Sequence, residues 1–167
     1  GRQVNNLVCI IRDVRQRKLA EAALRRSEER LSMMLAGTRA GTWEWFVQTG
    51  ETVFNERWAE IVGYTLEELA PISIATWANL AHPDDLQRSQ QLLQQHFAGE
   101  LDYYDCEARM KHKAGHWVWV WDRGQVMEWT PDGKPARMLG THVEISVTKG
   151  AQQAIAEERN LLRAIID

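Results

Sequence analysis

Two neighbouring segments in the second half of the chain alternate between apolar and polar residues, the period-two pattern of β-strands. The first segment places four residues on one apolar face: Tyr104, Cys106, Ala108 and Met110. After a turn at 113–115, the second places three tryptophans on one face and two valines on the other: Trp117, Trp119, Trp121, Val118 and Val120. Because both faces of the second strand are apolar, one must meet the core and the other a helix or a second subunit.

Both ends of the chain carry helix-forming segments with apolar residues at heptad spacing. In the first segment, 15–37, the predicted seam comprises Ala20, Leu24, Ser27, Leu31 and Met34. The second segment, 148–167, repeats the pattern, with Ile155 and Leu162 in the places of Leu24 and Leu31. The repeat predicts coiled-coil helices, the alternative being an amphipathic helix packed on its own domain. Gly150 predicts an interruption near the start of the second helix.

The remaining pattern divides the chain into four parts. Residues 7–11 form a short apolar run, which we interpret as a strand, so 1–14 is predicted to be the last strand of a preceding domain. Residues 38–147 show two strands, several short helices and three strands, an α+β domain with an antiparallel sheet. The segments 15–37 and 148–167 are linker helices, and the second is predicted to lead to a further domain of a tandem array.

Composition narrows the function classes. The chain is 44% hydrophobic with a formal net charge of -3, which gives no electrostatic case for nucleic-acid binding. No apolar run approaches the roughly 20 residues that span a bilayer, so we expect a cytoplasmic location without membrane insertion. Cys9 and Cys106 lie far apart in apolar contexts, which favours buried free thiols over a disulfide or a metal pair.

Several motifs in order resemble a known family. They are Trp43-x-Trp45, Asn55-x-x-Trp58, Gly63-Tyr64-x-x-Glu67-Glu68, Trp77, His82-Pro83-Asp84-Asp85, Glu107-x-Arg109, Gly115-x-Trp117-x-Trp119 and Gly133-x-Pro135. Together they resemble a PAS domain with its PAC extension, of the tryptophan-rich subclass of bacterial multi-PAS sensors. The resemblance covers about residues 30–150 and depends on the order and spacing of the motifs, since none is specific alone.

The resemblance implies a five-stranded antiparallel sheet whose concave face and short helices enclose a small pocket. The candidate pocket residues are Trp43, Trp45, Phe54, Asn55, Trp58, Trp77, Cys106 and Met110. The outer face would carry Trp117, Trp119 and Trp121, where a flanking helix and a dimer partner pack. A register error of one residue would exchange the inner and outer sets on these strands.

The candidate pocket residues also indicate whether the domain binds a cofactor. We expect the tryptophans to fill the pocket, since each buries some 150 to 250 Å², and therefore expect no cofactor. A flavin (FAD or FMN) is the leading alternative, with Trp45, Asn55 and Trp58 against the isoalloxazine. Haem, bound through one of three histidines, is less favoured: His112, His116 or His142. The residues at 82–85 fit a helix cap better than a metal site.

The resemblance implies a sensory and dimerisation module that signals through its coiled-coil helices to an effector of the same chain, a histidine kinase or a diguanylate cyclase. Its partners would be a second copy, adjacent PAS domains and a small-molecule ligand. The seam residues are Leu24, Leu31, Met34, Ile155 and Leu162. The other readings are an enzyme, for which no nucleophile and base pair, phosphate loop or carboxylate dyad is visible, and a structural spacer.

We predict that Leu24→Asp with Leu31→Asp weakens self-association about tenfold or more, because it places charges in an apolar seam. The matched control is Arg26→Asp with Arg30→Asp on the solvated helix face. Analytical ultracentrifugation measures both double variants. Unchanged sedimentation of the leucine variant would reject the seam.

Overall fold

The computed structural model describes the backbone of residues 2–166 and the side chains of 14–34 and 37–164. The chain divides into two compact units, Gly1–Arg39 and Ala40–Asp167. In order, the elements are α1 (Arg2–Thr38), β1 (Gly41–Phe46), β2 (Thr52–Phe54), α2 (Glu56–Ile61), α3 (Leu66–Leu69), α4 (Ile74–Leu80), α5 (Pro83–Phe97), β3 (Tyr104–Lys111), β4 (Trp117–Trp129), β5 (Pro135–Glu144) and α6 (Ser146–Ile166).

Helix α1 corrects the predicted strand at 7–11, because these residues are helical and continuous with the linker helix. A short apolar run fits either a strand or a helix, and here strong helix formers without glycine or proline follow it, so the helix propagates through. Leu24, Leu31 and Met34 are all exposed on α1. The assignment of 1–14 to a preceding domain stays a prediction, and the side chain of Cys9 lies outside those described.

The second unit is built on one antiparallel sheet with strand order β2-β1-β5-β4-β3. Helices α2 to α5 lie between β2 and β3 in the chain, and their apolar residues pack with the inner face of the sheet around Trp58, Ile61 and Trp77. The predicted α+β class and the five-stranded sheet are confirmed.

Strand β4 separates its two faces as the alternation predicts. Val118 and Val120 are buried, whereas Trp117 and Trp121 are 41% and 37% exposed. The tryptophans therefore point away from the core, while Cys106, on the inner face of β3, is buried and free. The inner and outer side chains of β3 and β4 are therefore the predicted sets, and the exchange that a register error of one residue would cause does not occur.

Capping residues define the ends of the short helices. Asn55 accepts a hydrogen bond from the Trp58 backbone N–H, and Thr65 forms a reciprocal capping box with Glu68. His82 caps α5 through its Nδ1. The described residues contain no group of three or more histidine, cysteine, aspartate or glutamate side chains able to hold a metal ion.

Asp85, the last residue of the 82–85 motif, joins α5 to β3. Its carboxylate accepts hydrogen bonds from the backbone and guanidinium N–H groups of Arg109 at 2.7 to 3.2 Å. Burial by itself raises the pKa of this carboxyl, but the hydrogen bonds and charge of Arg109 outweigh burial and lower the pKa. The motif therefore fixes the helix to the sheet.

Helix α6 begins at Ser146, two residues before the predicted start at 148, and runs through Gly150. The interruption predicted at Gly150 is therefore wrong, because a single glycine costs a helix only about 1 kcal/mol. No helix within residues 2–166 combines the length and apolar character needed to cross a bilayer.

Two glycines on adjacent strands make room for the indole of Trp43. A Cβ at Gly124 or Gly140 would lie 2.4 or 2.2 Å from that ring, closer than any real contact. Gly124 and Gly140 pair across β4 and β5, and Trp43 pairs with Gly140 from β1. The buried indole therefore lies over a backbone surface that only glycine provides.

We predict that Gly140→Ala lowers the free energy of unfolding by about 1–3 kcal/mol, because the added methyl group collides with Trp43 and with the Arg123 carbonyl. Gly150→Ala is the matched control, since the space around Gly150 is open and alanine favours the helix. Urea unfolding measures both. Equal stability of the two variants would contradict the packing.

Candidate functional site

A cavity of about 350 Å³ lies between the inner face of the sheet and the short helices. Its volume is at the lower end of the range for small-molecule sites. Five of the eight predicted pocket residues line it: Trp43, Trp45, Phe54, Trp58 and Trp77. Aliphatic wall residues come from α4 and α5: Ile74, Ala75, Ala78, Leu86 and Leu93.

The other three predicted pocket residues are not in the cavity wall. Asn55 uses its Oδ1 to accept from the backbone N–H groups of Thr42 and Trp58, so it fixes local backbone instead. Cys106 and Met110 are buried in the core on the inner face of β3. They share the correct strand face, but the cavity occupies only part of that face.

The tryptophans line the cavity and do not fill it, which corrects the expectation of a filled pocket. Phe54 and Trp58 stack on each other, with ring centroids 3.7 Å apart and nearly parallel planes. Their flat rings thus pack together in the wall and leave open space beside them. The indole N–H groups of Trp45, Trp58 and Trp77 are buried and have no hydrogen-bond acceptor among the described residues.

A buried polar cluster that sequence reasoning missed lies in the same wall, centred on Asp122 of β4. The Asp122 carboxylate accepts from Trp43 Nε1 at 2.8 Å and from the Tyr104 hydroxyl at 3.1 Å. His142 Nε2 lies 3.0 Å from the same carboxylate. The Tyr104 hydroxyl also contacts Ser89 Oγ at 2.7 Å.

The environment of the cluster keeps the Tyr104 hydroxyl protonated. Burial, followed by the charge of Asp122, raises the pKa of Tyr104 well above its usual value, so its hydroxyl stays protonated and donates. One sequence signal could have found the cluster: Asp122 is in phase with the buried residues Val118 and Val120. A charged residue at an inward position needs buried partners.

The residues that line the cavity argue against both haem and flavin, the two cofactors considered from the sequence. Of the three candidate haem ligands, only His142 lines the cavity, and its Nε2 already contacts Asp122. The predicted flavin contact from Asn55 is absent, because that side chain caps α2. Cys106 does not line the cavity, so its thiol is not placed for covalent attachment.

On the outer face, Trp119 connects the sheet to α6. Its backbone N–H donates to Ser146 Oγ at 3.0 Å, and its carbonyl accepts from the Ile145 N–H at 2.8 Å. Its ring lies 5.4 Å from the Arg109 guanidinium and 5.1 Å from the Lys149 ammonium. Both distances are within the range of cation–π attraction.

We predict that Tyr104→Phe lowers the free energy of unfolding by about 1–3 kcal/mol, because Asp122 loses a donor and Ser89 loses its partner. Tyr103→Phe is the control, since Tyr103 is adjacent and 47% exposed, and its effect should stay within about 0.5 kcal/mol. Guanidinium unfolding compares the two variants. A neutral Tyr104→Phe would show that the cluster does not stabilise the fold.

Residues 51–142 match the model of the PAS fold family. Over 51 residues the chain is 41% identical to the hybrid signal transduction histidine kinase A of Dictyostelium discoideum. Over 123 residues it is 28% identical to the probable diguanylate cyclase DgcE of Escherichia coli K12. These alignments cover 30% and 74% of this chain but only 2% and 10% of the two relatives.

The fold is similar to that of a sensory box histidine kinase/response regulator from Burkholderia thailandensis, with a TM-score of 0.71 and 30% identity over 81% of this chain and 98% of that one. The N-terminal domain of a diguanylate cyclase with PAS/PAC sensor from Marinobacter aquaeolei aligns with a TM-score of 0.56 over 66% of this chain and 98% of that one. At 22% identity, this second similarity concerns the fold alone. The chain belongs to the PAS fold family, as a sensor domain related to those of histidine kinases and diguanylate cyclases.

Proposed function

We propose that this chain is the sensory and dimerisation module of a signal-transduction protein, and that it passes a change in the PAS sheet to a downstream effector through α6. The observation that carries the proposal is the attachment of the first turn of α6 to Trp119. A hydrogen bond from the Trp119 N–H to Ser146 Oγ, another from the Ile145 N–H to the Trp119 carbonyl, and a cation–π contact with Lys149 hold the exit helix to strand β4. A shift of β4 would therefore move the start of α6 directly.

An ion pair extends this attachment to β3. The Lys149 ammonium donates to the Glu107 carboxylate while it also lies near the Trp119 ring. Arg109 is the second cation near the Trp119 ring, and it connects Trp119 to Asp85 of α5. The Trp119 ring thus contacts two cations, one paired with the sheet and the other with α5, a helix that lines the cavity. This position suits the ring to transmit small movements between them.

The cavity has its own connection to α6. His142 of β5 contacts Asp122 of β4, and these residues pair directly across the two strands. His142 precedes Ser146 by four residues of the same chain. A ligand that displaced His142 would act on the strand that continues into the exit helix.

Dimerisation is proposed from the apolar heptad residues of the terminal helices. Leu24 and Leu31 of α1 are 62% and 58% exposed, and Ile155 and Leu162 of α6 are 66% and 53% exposed. Apolar residues repeated at heptad spacing favour pairing with another helix. A second copy of the chain would supply that helix and cover Trp117 and Trp121 on the outer face.

The effector is proposed from the relatives. The similar proteins of 28% identity or more are two histidine kinases and a probable diguanylate cyclase, so an effector of either class would follow α6 in a cytoplasmic multidomain protein. Adjacent PAS domains, the PAC extension and the tryptophan-rich subclass belong to the same proposal. We favour the histidine kinase because it is the class of the structure with the 0.71 TM-score.

We predict that Trp119→Ala loosens the first turn of α6, because it removes the cation–π contact with Lys149 while the backbone hydrogen bonds remain, and that it changes effector output in the full-length protein. Because Trp119 is only half-buried, the cost in unfolding free energy should be about 2 kcal/mol, below the 3–5 kcal/mol of a fully buried tryptophan. Hydrogen exchange of residues 146–150 should rise about two- to fivefold, the factor that corresponds to one lost cation–π contact.

Trp121→Ala is the matched control, because Trp121 is on the same strand face but its indole donates to Asp105 of β3 and its ring lies near Arg123 of β4. It should leave both exchange and output near their starting values. Equal behaviour of the two variants would contradict a signal route through Trp119.

A further inference from the structure

His96, in the last turn of α5, is buried, and both of its ring nitrogens contact backbone groups. Nδ1 lies 2.8 Å from the Leu101 carbonyl oxygen, and Nε2 lies 3.1 Å from the Val126 backbone nitrogen of β4. A carbonyl oxygen can only accept and a backbone N–H can only donate, so Nδ1 carries the ring proton and Nε2 accepts. The two hydrogen bonds together therefore require the neutral imidazole.

The sheet explains why β4 needs this acceptor. Strand β3 begins at Tyr104, which pairs with Gly124, so Val126 lies beyond the end of β3. On its other side Val126 pairs with Met138 of β5. Val126 is buried, and a buried N–H without an acceptor costs free energy. The imidazole thus takes the place of the missing strand and joins the end of α5 to β4.

A second ring proton would break this contact. It would occupy Nε2 and point at the Val126 N–H, which is itself a donor. The C-terminal end of a helix attracts a cation, typically by a factor of about five or less in the proton equilibrium. Leaving a buried donor unpaired corresponds to a factor of about five to a hundred. The lost hydrogen bond therefore outweighs the attraction of the helix end.

The charged groups of the neighbouring segments do not hold a second proton on His96. The titratable side chains there are Glu100, Asp102 and Tyr103 in the loop after α5 and Glu128 on β4, and all four are exposed. In the described part of the chain, the contacts within 4.0 Å between a histidine nitrogen and a carboxylate involve other histidines. A protonated His96 would therefore be a buried cation without a paired carboxylate, which is unfavourable.

The other four histidines do not share this combination. His82 and His142 lie 3.7 and 3.0 Å from a carboxylate, so a proton on either ring gains an ion pair. His112 accepts a backbone N–H at Nδ1, but this contact is at the surface, where water can replace it. His116 is exposed and stacks on His112. Buried backbone groups fix the neutral form at His96.

We propose that His96, with its contacts to Leu101 and Val126, is an acid-released latch: the neutral ring holds the end of α5 to β4, and uptake of a proton frees both. Histidine in an unfolded chain takes up a proton near roughly pH 6.5. The open state therefore binds more protons than the closed one below that pH, and the latch weakens as the pH falls. It needs neither a ligand nor an effector, so its test is independent of the proposed signalling role.

The first test compares the unaltered chain with His96→Gln by urea unfolding at about pH 7.5 and about pH 5.5. The glutamine amide offers an oxygen to Val126 and takes up no proton in this range. A histidine that binds its proton only when unfolded raises the unfolding equilibrium constant about tenfold between these pH values. Carboxylates contribute equally to both chains. We expect His96→Gln to remove at least about a threefold part of the change.

His116→Gln is the matched control, because His116 is exposed at the β3–β4 turn. It should keep the pH dependence of the unaltered chain. The proposal is overturned by an unchanged pH dependence in His96→Gln, or by an equal reduction in both variants.

Two measurements on the unaltered chain decide the question if His96→Gln does not fold. Nitrogen NMR at about pH 7.5 should place the His96 ring proton on Nδ1, and a proton on Nε2 would contradict the latch.

Hydrogen exchange at about pH 7.5 and about pH 5.5 measures the local release, with each rate taken relative to an unstructured peptide at the same pH. The protection of the Val126 amide should fall at least about threefold more than that of Val120, which pairs with both β3 and β5. An equal fall at the two amides would show that acid does not open the latch.

Discussion

The buried carboxylate of Asp122 is the constraint on which the rest of the domain depends. A carboxylate taken out of water is stable only where donors and charge compensate for its lost hydration. Here the partners come from three strands, as Trp43 of β1, Tyr104 of β3 and His142 of β5. Satisfying one charge therefore fixes four strands around the cavity, and the indole of Trp43 in turn requires glycine at 124 and 140.

Much of the fold could be predicted from local signals. The alternation of apolar and polar residues predicted the two faces of β3 and β4, and the residues at 82–85, interpreted as a helix cap, mark the start of α5. The strand predicted at 7–11 was wrong because an apolar run of five residues carries no period of its own. What decides it is the helix that follows, and helix propagation extends across residues that would also suit a strand.

The candidate site was less predictable, for two physical reasons. Its aromatic wall followed from the family resemblance, but the partners of Asp122 are far apart in sequence and meet only through strand order. The cavity also depends on how the aromatic rings pack. Phe54 stacks on Trp58 and leaves a void beside the two rings, and the pattern of residue types does not predict such packing. Met110 shares the inner face yet lies outside the cavity, where the chain at Ala81 bridges to it.

One strand couples the two faces of the sheet. Trp119 points outward and contacts the start of α6, while Asp122, three residues later, points inward and holds the cavity cluster. Because alternate side chains share one backbone, a displacement that alters the cluster also alters the attachment of α6. Two arrangements that differ by a few kcal/mol are enough for a switch, and a few hydrogen bonds supply free energy on that scale. The proposed signalling role therefore requires no separate relay between the cavity and α6.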